Sequence, residues 1–159
     1  MRAITEDEIR SSFVNATESE LARMPMPGLH ESIWEDREFL GWRDVQAAHL
    51  GYISLWLDDR LVSVVVRTAA GGLRQGIAAM CSLCHSMQPA TQVRLFTARL
   101  AGASGIAGSS VGTYMCESLS CPYIIRMAAP HLTTPSQLAQ RGGAMLERLE
   151  RFAARVSAG

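Results

Sequence analysis

Four cysteines constrain this chain of 159 residues more than any other feature of its sequence. Cys81 and Cys84 form a CxxC motif; Cys116 lies 32 residues after Cys84, and four residues separate Cys116 from Cys121. A two-residue spacer lets both sulfurs of one tight turn reach a single ion, and a tetrahedral site then needs a second pair of ligands from elsewhere in the fold. The spacing therefore predicts one structural Zn²⁺ ion held by all four cysteines. Such a site leaves no coordination position for water or substrate.

The expected compartment supports a metal site over disulfides. Residues 1–10 are polar and acidic and lack the apolar segment of a signal peptide, and the chain contains no run of 18 apolar residues. We therefore expect a cytoplasmic protein that does not contact the membrane. In a reducing cytosol, four cysteines indicate a metal site before they indicate two disulfides. The alternatives are buried reduced cysteines or redox-active thiols, and the sequence does not distinguish zinc from iron.

A second interpretation concerns His85. Cys81 to His85 spells CxxCH, the attachment pattern of c-type haem. Covalent haem attachment normally occurs outside the cytosol, and it leaves Cys116 and Cys121 without a role. His85 can also replace one cysteine as a zinc ligand, or lie at the surface. We prefer the four-cysteine zinc site because it uses every cysteine.

The distribution of apolar and turn-forming residues predicts an α+β fold. We expect a treble-clef-like zinc-binding domain with a small antiparallel sheet, short N-terminal helices and a C-terminal amphipathic helix. Predicted strands cover residues 52–57, 61–67, 93–99 and 111–116, with a hairpin turn at 58–60. Residues 28–50 and the small-residue segment 101–110 are predicted to be irregular. The residues form one predicted domain, 1–159, in which the segment 1–50 packs on the unit 51–159.

Capping signals locate the predicted helices. Thr5 with Glu8, Thr17 with Glu20, and Thr134 with Gln137 match the capping box, which predicts helices over about residues 6–14, from residue 18, and from residue 135. A further helix over about residues 120–128 is expected after the strand that carries Cys116. Apolar residues follow each other at helical spacing in the last helix, so we expect one face of it to enter the core. They are Met145, Leu149, Phe152 and Val156.

Charge is distributed unevenly along the chain. Residues 1–59 contain five arginines and twelve acidic residues, a net charge of −7, whereas residues 60–159 contain ten arginines and three glutamates, a net charge of +7. This asymmetry favours an anionic partner for the basic half, or else attraction between the two halves within the fold.

Motifs for catalysis are absent from the sequence. The glycine-containing stretch 105–110 lacks the lysine of a phosphate-binding loop, and the chain contains no lysine at all. No HExxH motif occurs either. We therefore expect a protein that is not an enzyme and has no small-molecule substrate.

Three segments resemble a known family. The segments Cys81–Cys84, Ser110–Cys116 with Cys121, and Phe39–Asp44 resemble the FBP family of elongation factor G-binding proteins, which is related to the FusB-type fusidic acid resistance proteins. The resemblance also covers residues 1–15 and thus nearly the whole chain. It implies a C-terminal treble-clef domain with zinc held by the four cysteines, and binding of elongation factor G (EF-G) at the ribosome. In the resistance proteins this binding promotes release of EF-G stalled by fusidic acid.

A binding protein needs exposed arginines and aromatic residues on a rigid platform. Six residues near the zinc ligands or on adjoining strands are therefore predicted as partner contacts. They are Arg94, Phe96, Arg99, Tyr114, Tyr123 and Arg126. The alternative function is a zinc-dependent binder of ribosomal RNA that uses the basic half. The absence of lysine and an aromatic content of 6% favour the protein partner.

Overall fold

The computed structural model describes residues 1–127 and 133–159. In these residues the helices are α1 (Glu6–Ser11), α2 (Glu18–Arg23), α3 (Gly102–Ile106), α4 (Cys121–Met127) and α5 (Pro135–Ser157). The strands are β1 (Leu40–Arg43), β2 (Leu50–Leu57), β3 (Arg60–Thr68), β4 (Ala78–Met80), β5 (Met87–Pro89), β6 (Val93–Arg99) and β7 (Ser110–Cys116). Short 3₁₀ turns occur at Leu29–Glu31, Trp34–Asp36 and Ala90–Gln92. Five strands form an antiparallel sheet in the order β1-β2-β3-β6-β7, and β4 pairs with β5 separately.

The β2–β3 hairpin forms the centre of the sheet. Leu57 pairs with Arg60 across a two-residue turn, and Asp58 adopts a positive φ of 52°, a conformation that short polar residues tolerate in tight hairpins. The β-branched run that follows suits a strand, because its side chains pack well on a pleated surface. The predicted hairpin is therefore confirmed.

Both faces of this hairpin are covered, which explains why it is apolar on both sides. One face, with Ile53, Leu55 and Val64, packs into the main core together with the buried side of α5. The other face, with Tyr52 and Val65, packs against the N-terminal segment in a second core. Residues of that segment in the second core include Ile4, Ile9, Met24, Leu40 and Trp42.

The N-terminal segment is fixed to β3 by hydrogen bonds as well as by packing. The amide of Asn15 donates to the carbonyl of Val65 at 3.0 Å and accepts from the Val65 N–H at 2.8 Å. Helix α1 ends at Ser11, three residues earlier than predicted, because the chain turns there to pair Phe13 with Ser63. Tertiary pairing with β3 thus overrides the local helical pattern.

Two segments predicted to be irregular contain regular structure. Residues Leu40–Arg43 form β1 inside the segment 28–50, and Gly102–Ile106 form α3 inside the segment 101–110. A strand of four residues carries too little periodicity to be recognised, and two glycines in five residues obscure a helix. The predicted boundary after residue 50 also falls inside β2.

The acidic and basic halves of the chain attract each other in this fold. Arg126 binds the Glu38 carboxylate with both terminal nitrogens, at 3.1 and 2.9 Å, and its Nε lies 3.6 Å from Asp36. Arg67 pairs with Glu20. Part of the charge asymmetry therefore serves internal ion pairs between the N-terminal segment and the rest of the protein.

Helix α5 matches its predicted pattern. Thr134 and Gln137 form a capping box, Pro135 occupies the first turn, and the predicted apolar face is buried. Gly142 is also buried, because the Glu38 carboxylate that binds Arg126 lies against it: a Cβ there would be 2.5 Å from Glu38 Oε1. Within the described residues no helix is both long enough and apolar enough to cross a membrane.

The two adjacent glycines of α5 should respond differently to alanine. A Cβ at Gly143 would have no heavy atom within 4 Å, so Gly143→Ala should stabilise the protein by about 0.5–1 kcal/mol through helix propensity. Gly142→Ala should instead destabilise it by about 1–3 kcal/mol, because the new methyl displaces a carboxylate already bound to Arg126. Chemical denaturation of both variants measures the difference; equal effects would contradict the role assigned to Gly142.

Candidate metal centre

Three elements bring the four cysteines together. Cys81 and Cys84 lie in the turn between β4 and β5, Cys116 is the last residue of β7, and Cys121 is the first residue of α4. The β4–β5 turn, the β6–β7 hairpin and α4 together form the treble-clef arrangement predicted from the spacing. The predicted fold class is therefore confirmed. The predicted helix end at residue 128 lies outside the described residues, and the described part of α4 ends at Met127.

The geometry of the four sulfurs fits a tetrahedral ion. All four Sγ atoms lie within 4.8 Å of one another. Cys81 Sγ is 3.7 Å from Cys121 Sγ, and Cys84 Sγ is 3.5 Å from Cys116 Sγ. Bonds of about 2.3 Å to a tetrahedral zinc place its sulfurs about 3.8 Å apart, close to both distances. All four cysteines are buried, so the site is closed to solvent.

The four thiols affect one another's ionisation. Hydrogen bonds, chiefly with Cys116, lower the pKa of Cys84, and hydrogen bonds with the same neighbour raise the pKa of Cys121 well above its usual value. The sulfurs therefore cannot all become thiolates easily on their own, since charges so close together repel. A divalent cation supplies the charge that holds all four ionised, which makes metal binding favourable and pH-dependent.

The tight turn of the first cysteine pair explains the position of His85. Its φ is +55°, and its N–H donates to the carbonyl of Cys81 at 2.9 Å, which closes the turn. The side chain of His85 is exposed and does not belong to the sulfur cluster, so the structure offers no support for histidine ligation. The haem interpretation also lacks support, because Cys81 and Cys84 are buried against the second cysteine pair.

Two hydrogen-bond donors point at the sulfurs. The N–H of Leu83 donates to Cys81 Sγ at 3.4 Å, and the side-chain amide of Gln88 donates to Cys116 Sγ at 3.1 Å. Such donors orient thiolate ligands and stabilise their charge. Sequence reasoning missed Gln88, since its position becomes visible only when β5 is placed beside the end of β7.

The turn between the second cysteine pair is fixed by Leu119. This residue is buried, has a φ of +57°, and its N–H donates to the carbonyl of Cys116 at 2.9 Å. It packs against Gly41 of β1 and Gly51 of β2. A Cβ on Gly41 would lie 2.3 Å from Leu119 O, and one on Gly51 would lie 2.5 Å from Leu119 Cδ1. The metal turn thus docks on β1 and β2 where those strands carry no side chain.

The six predicted contact residues differ in their surroundings. Phe96 is fully buried in the main core, so its assignment as a partner contact is corrected to a core role. Arg94 pairs with Glu117 at 3.0 Å, and Arg126 is held by Glu38. The remaining three side chains are available: Tyr114 is 39% exposed, Tyr123 is 60% exposed, and Arg99 is exposed as well.

Exposed apolar residues on the β4–β5 hairpin were not predicted. Met80 and Met87 face each other across the two strands and are 50% and 63% exposed, and Ile77 beside them is 51% exposed. They flank the turn that carries Cys81 and Cys84. Strands of only three residues leave no signal in the sequence from which this pairing could be derived.

Removing one ligand should release the ion and unfold the metal half of the protein, which comprises β4, β5, β6, β7 and α4. Cys121→Ser is expected to reduce zinc from one ion per chain to nearly none and to lower the thermal midpoint, because metal binding contributes folding free energy. Ser120→Ala, next to it, should keep the ion. Zinc content by atomic emission and thermal unfolding by circular dichroism measure both effects. Full zinc occupancy in the Cys121 variant would exclude the four-cysteine site.

The packing of Leu119 on Gly41 predicts that a substitution at Gly41, which is not a ligand, affects how tightly the ion is held. Gly41→Ala forces Leu119 and its turn to move, and overpacking of this kind costs about 1–3 kcal/mol, so zinc should pass to a chelating dye about tenfold faster. Gly72→Ala is the control, since a Cβ at that position would have no heavy atom within 4 Å. Equal release rates in both variants would show that docking of the turn does not hold the metal.

Comparison with known proteins agrees with this geometry. No curated protein sequence matches the chain significantly. The solved structure of the fusidic acid resistance protein FusC matches with a TM-score of 0.60 and 12% sequence identity, over 98% of this chain and 59% of the FusC chain. At that identity the similarity establishes the fold alone, and this chain spans about three fifths of the length of FusC.

A family model covers the cysteines and almost everything around them. The model of the FBP C-terminal treble-clef zinc-finger family matches residues 8–156, a range that contains both cysteine pairs and the strands and helices that position them. The family is a zinc-finger family, and four buried thiols at tetrahedral spacing provide the ligands for the ion. The chain belongs to the FBP C-terminal treble-clef zinc-finger family.

Proposed function

We propose that this protein binds elongation factor G at the ribosome through its zinc-built platform, and that it acts by binding and catalyses no reaction. Membership of the FBP family and a fold shared with a fusidic acid resistance protein support the proposal. A closed four-thiolate site also suits a structural role, because it offers no position at which a substrate can bind the metal.

The observation that carries the proposal is the pair Met80 and Met87. Both side chains are at least half exposed, yet their strands are anchored by Cys81 and Cys84 on one rigid turn. Exposed methionine and tyrosine on a rigid support are typical of the central part of a protein interface. Tyr114, two residues before Cys116, adds a further exposed aromatic side chain on the strand that carries the metal.

Release of stalled EF-G is the activity that follows from such binding. In the proposed mechanism the protein contacts EF-G on the ribosome and favours its dissociation, which gives tolerance to fusidic acid. The zinc ion takes no direct part; it fixes the relative positions of the β4–β5 hairpin, β7 and α4. Because this chain matches 59% of FusC, the activity of the whole FusC protein is proposed here for a shorter chain.

The test is co-elution of the zinc-loaded protein with purified EF-G of the same organism on a sizing column. We expect a complex, and we expect the double variant Met80→Glu, Met87→Glu to lose it while retaining zinc. Replacing two interface methionines with glutamate typically weakens binding by about 2 kcal/mol or more, or roughly 30-fold. Ile106→Glu is the matched control, since Ile106 is 91% exposed and lies on α3.

Each outcome is informative. A complex that survives the double variant would exclude the methionine pair as the contact. No complex at tens of micromolar, with one zinc per chain, would reject EF-G as the partner. Binding to ribosomal RNA with a steep salt dependence would then favour the nucleic-acid alternative.

A further inference from the structure

A groove lined by arginines runs beside the metal centre. It lies between β7, the Cys81–Cys84 turn and α5, and has a volume of about 260 Å³. Arg148, Arg151 and Arg155 of α5 all line it, and none of its lining residues is acidic. Three positively charged guanidinium groups around one groove create a positive potential that favours an anion.

The three arginines have different contacts. Arg148 donates to the carbonyl of Leu83 at 2.5 Å and thereby ties α5 to the cysteine turn. Arg151 and Arg155 are exposed, and neither forms an ion pair with any acidic side chain in the described part of the chain. Their donors are therefore free to bind a ligand in the groove.

The opposite wall of the groove is the outer edge of β7, at Gly112 and Thr113. This strand pairs with β6 on one side and is the last strand of the sheet. Ser82 donates its N–H to the outward carbonyl of Tyr114 at 2.8 Å, so Tyr114 directs its main-chain groups away from β6. In an antiparallel ladder this direction alternates from one residue to the next. Gly112, two residues before Tyr114, therefore also presents its N–H and carbonyl outward. No described residue bonds to them.

The spacing of Arg151 and Arg155 is similar to that of alternate side chains on an extended strand. Arg151 and Arg155 are one helical turn apart, which places their Cβ atoms about 5–6 Å apart. Alternate side chains of an extended strand project on the same side at intervals of about 6.8 Å. A strand lying along β7 can thus bring two alternate carboxylates to the two arginines while its backbone bonds to Gly112.

We propose that this groove binds an extended acidic segment of a partner protein, which adds to β7 as an extra strand. Main-chain hydrogen bonds to the β7 edge supply affinity, and Arg151 and Arg155 select glutamate or aspartate at alternate positions. The groove selects its ligand by this chemistry whether or not the partner is EF-G.

A peptide fits this groove better than a nucleic acid does. Recognition of single-stranded RNA relies on aromatic side chains on which bases stack. The aromatic residue in the groove, Phe152, is 5% exposed and packs in the core, so it offers no such surface. An open strand edge matches the hydrogen-bonding pattern of a peptide backbone, which nucleic acids lack.

The experiment measures fluorescence anisotropy of labelled probes on the zinc-loaded full chain. The probes are an alternating Glu-Val octapeptide, the matching Gln-Val octapeptide, and an oligouridylate of equal charge. We expect the Glu-Val peptide to bind at least about tenfold more tightly than the Gln-Val peptide, because charge-assisted pairs to two arginines are lost in the latter. Tighter binding of the RNA than of the acidic peptide would overturn the proposal.

Two pairs of variants separate the two walls of the groove. Arg151→Gln with Arg155→Gln should weaken binding of the acidic peptide about tenfold or more, whereas Arg74→Gln, at an exposed arginine in the loop after β3, should not. Gly112→Pro removes the outward N–H and should also weaken binding, whereas Gly112→Ala retains it. A Cβ at Gly112 would lie 3.3 Å from Phe96 O and from Thr97 Cγ2, a tight contact that requires a shift of a few tenths of an ångström, so the alanine variant is used only if it is folded.

Zinc content and thermal midpoint verify that each variant is folded. If Gly112→Pro fails to fold, the contribution of backbone hydrogen bonds to peptide affinity is measured instead. The Glu-Val peptide is then compared with its N-methylated form, which lacks alternate amide donors. Equal binding of these two peptides would exclude strand addition, and unchanged binding in the double arginine variant would exclude the arginine wall. Either result overturns the proposal.

Discussion

Binding of one Zn²⁺ ion by four cysteine sulfurs is the constraint on which the rest of this structure depends. The β4–β5 turn must meet the end of β7 and the start of α4, and Cys116 lies 32 residues after Cys84. All four sulfur atoms come within 4.8 Å of one another, and each element is then held by its neighbours. The β4–β5 turn is tied to α5 through Arg148, and the turn before α4 docks through Leu119 on the glycines of β1 and β2. The coordination sphere is therefore continuous with the core. Stability of the metal half and precision of its surface depend on the same contacts.

Ion pairs between the N-terminal segment and the rest of the protein stabilise the fold away from the metal site. The acidic N-terminal segment covers the face of the β2–β3 hairpin opposite α5, and its carboxylates meet arginines from the basic half. The Glu38–Arg126 pair is mostly buried and bidentate, so it positions α4 beside the N-terminal segment. Arg151 and Arg155 are not used in this way. The excess positive charge of the second half is thus divided between internal pairs and a surface that remains unneutralised.

The sequence predicted the parts of this structure that depend on local chemistry. Three capping boxes, the Asp58 turn and the short spacers within each cysteine pair act within a few residues, and they locate three helices, the hairpin and the candidate ligands. The strand β1, the docking of Leu119 on Gly41, and the donor Gln88 depend on neighbours far away in sequence. The position of Phe96 on a strand adjoining the zinc ligands predicts a partner contact, but the sheet directs its side chain into the main core. The strand order, which leaves β7 at an edge, has no local signature.

The junction between β3 and β6 divides the sheet into two parts. Their ladder consists of two residue pairs, Arg67 with Thr97 and Thr68 with Phe96, whereas β2 and β3 pair along eight. Boundaries between cooperative unfolding units in proteins tend to lie where few contacts join two parts of the structure. The β2–β3 hairpin is buried between two cores, so we expect its amide protons to be among the slowest to exchange with solvent. We expect those of the metal half to exchange through an opening whose free energy follows metal occupancy, because the ion joins the β4–β5 turn, β7 and α4.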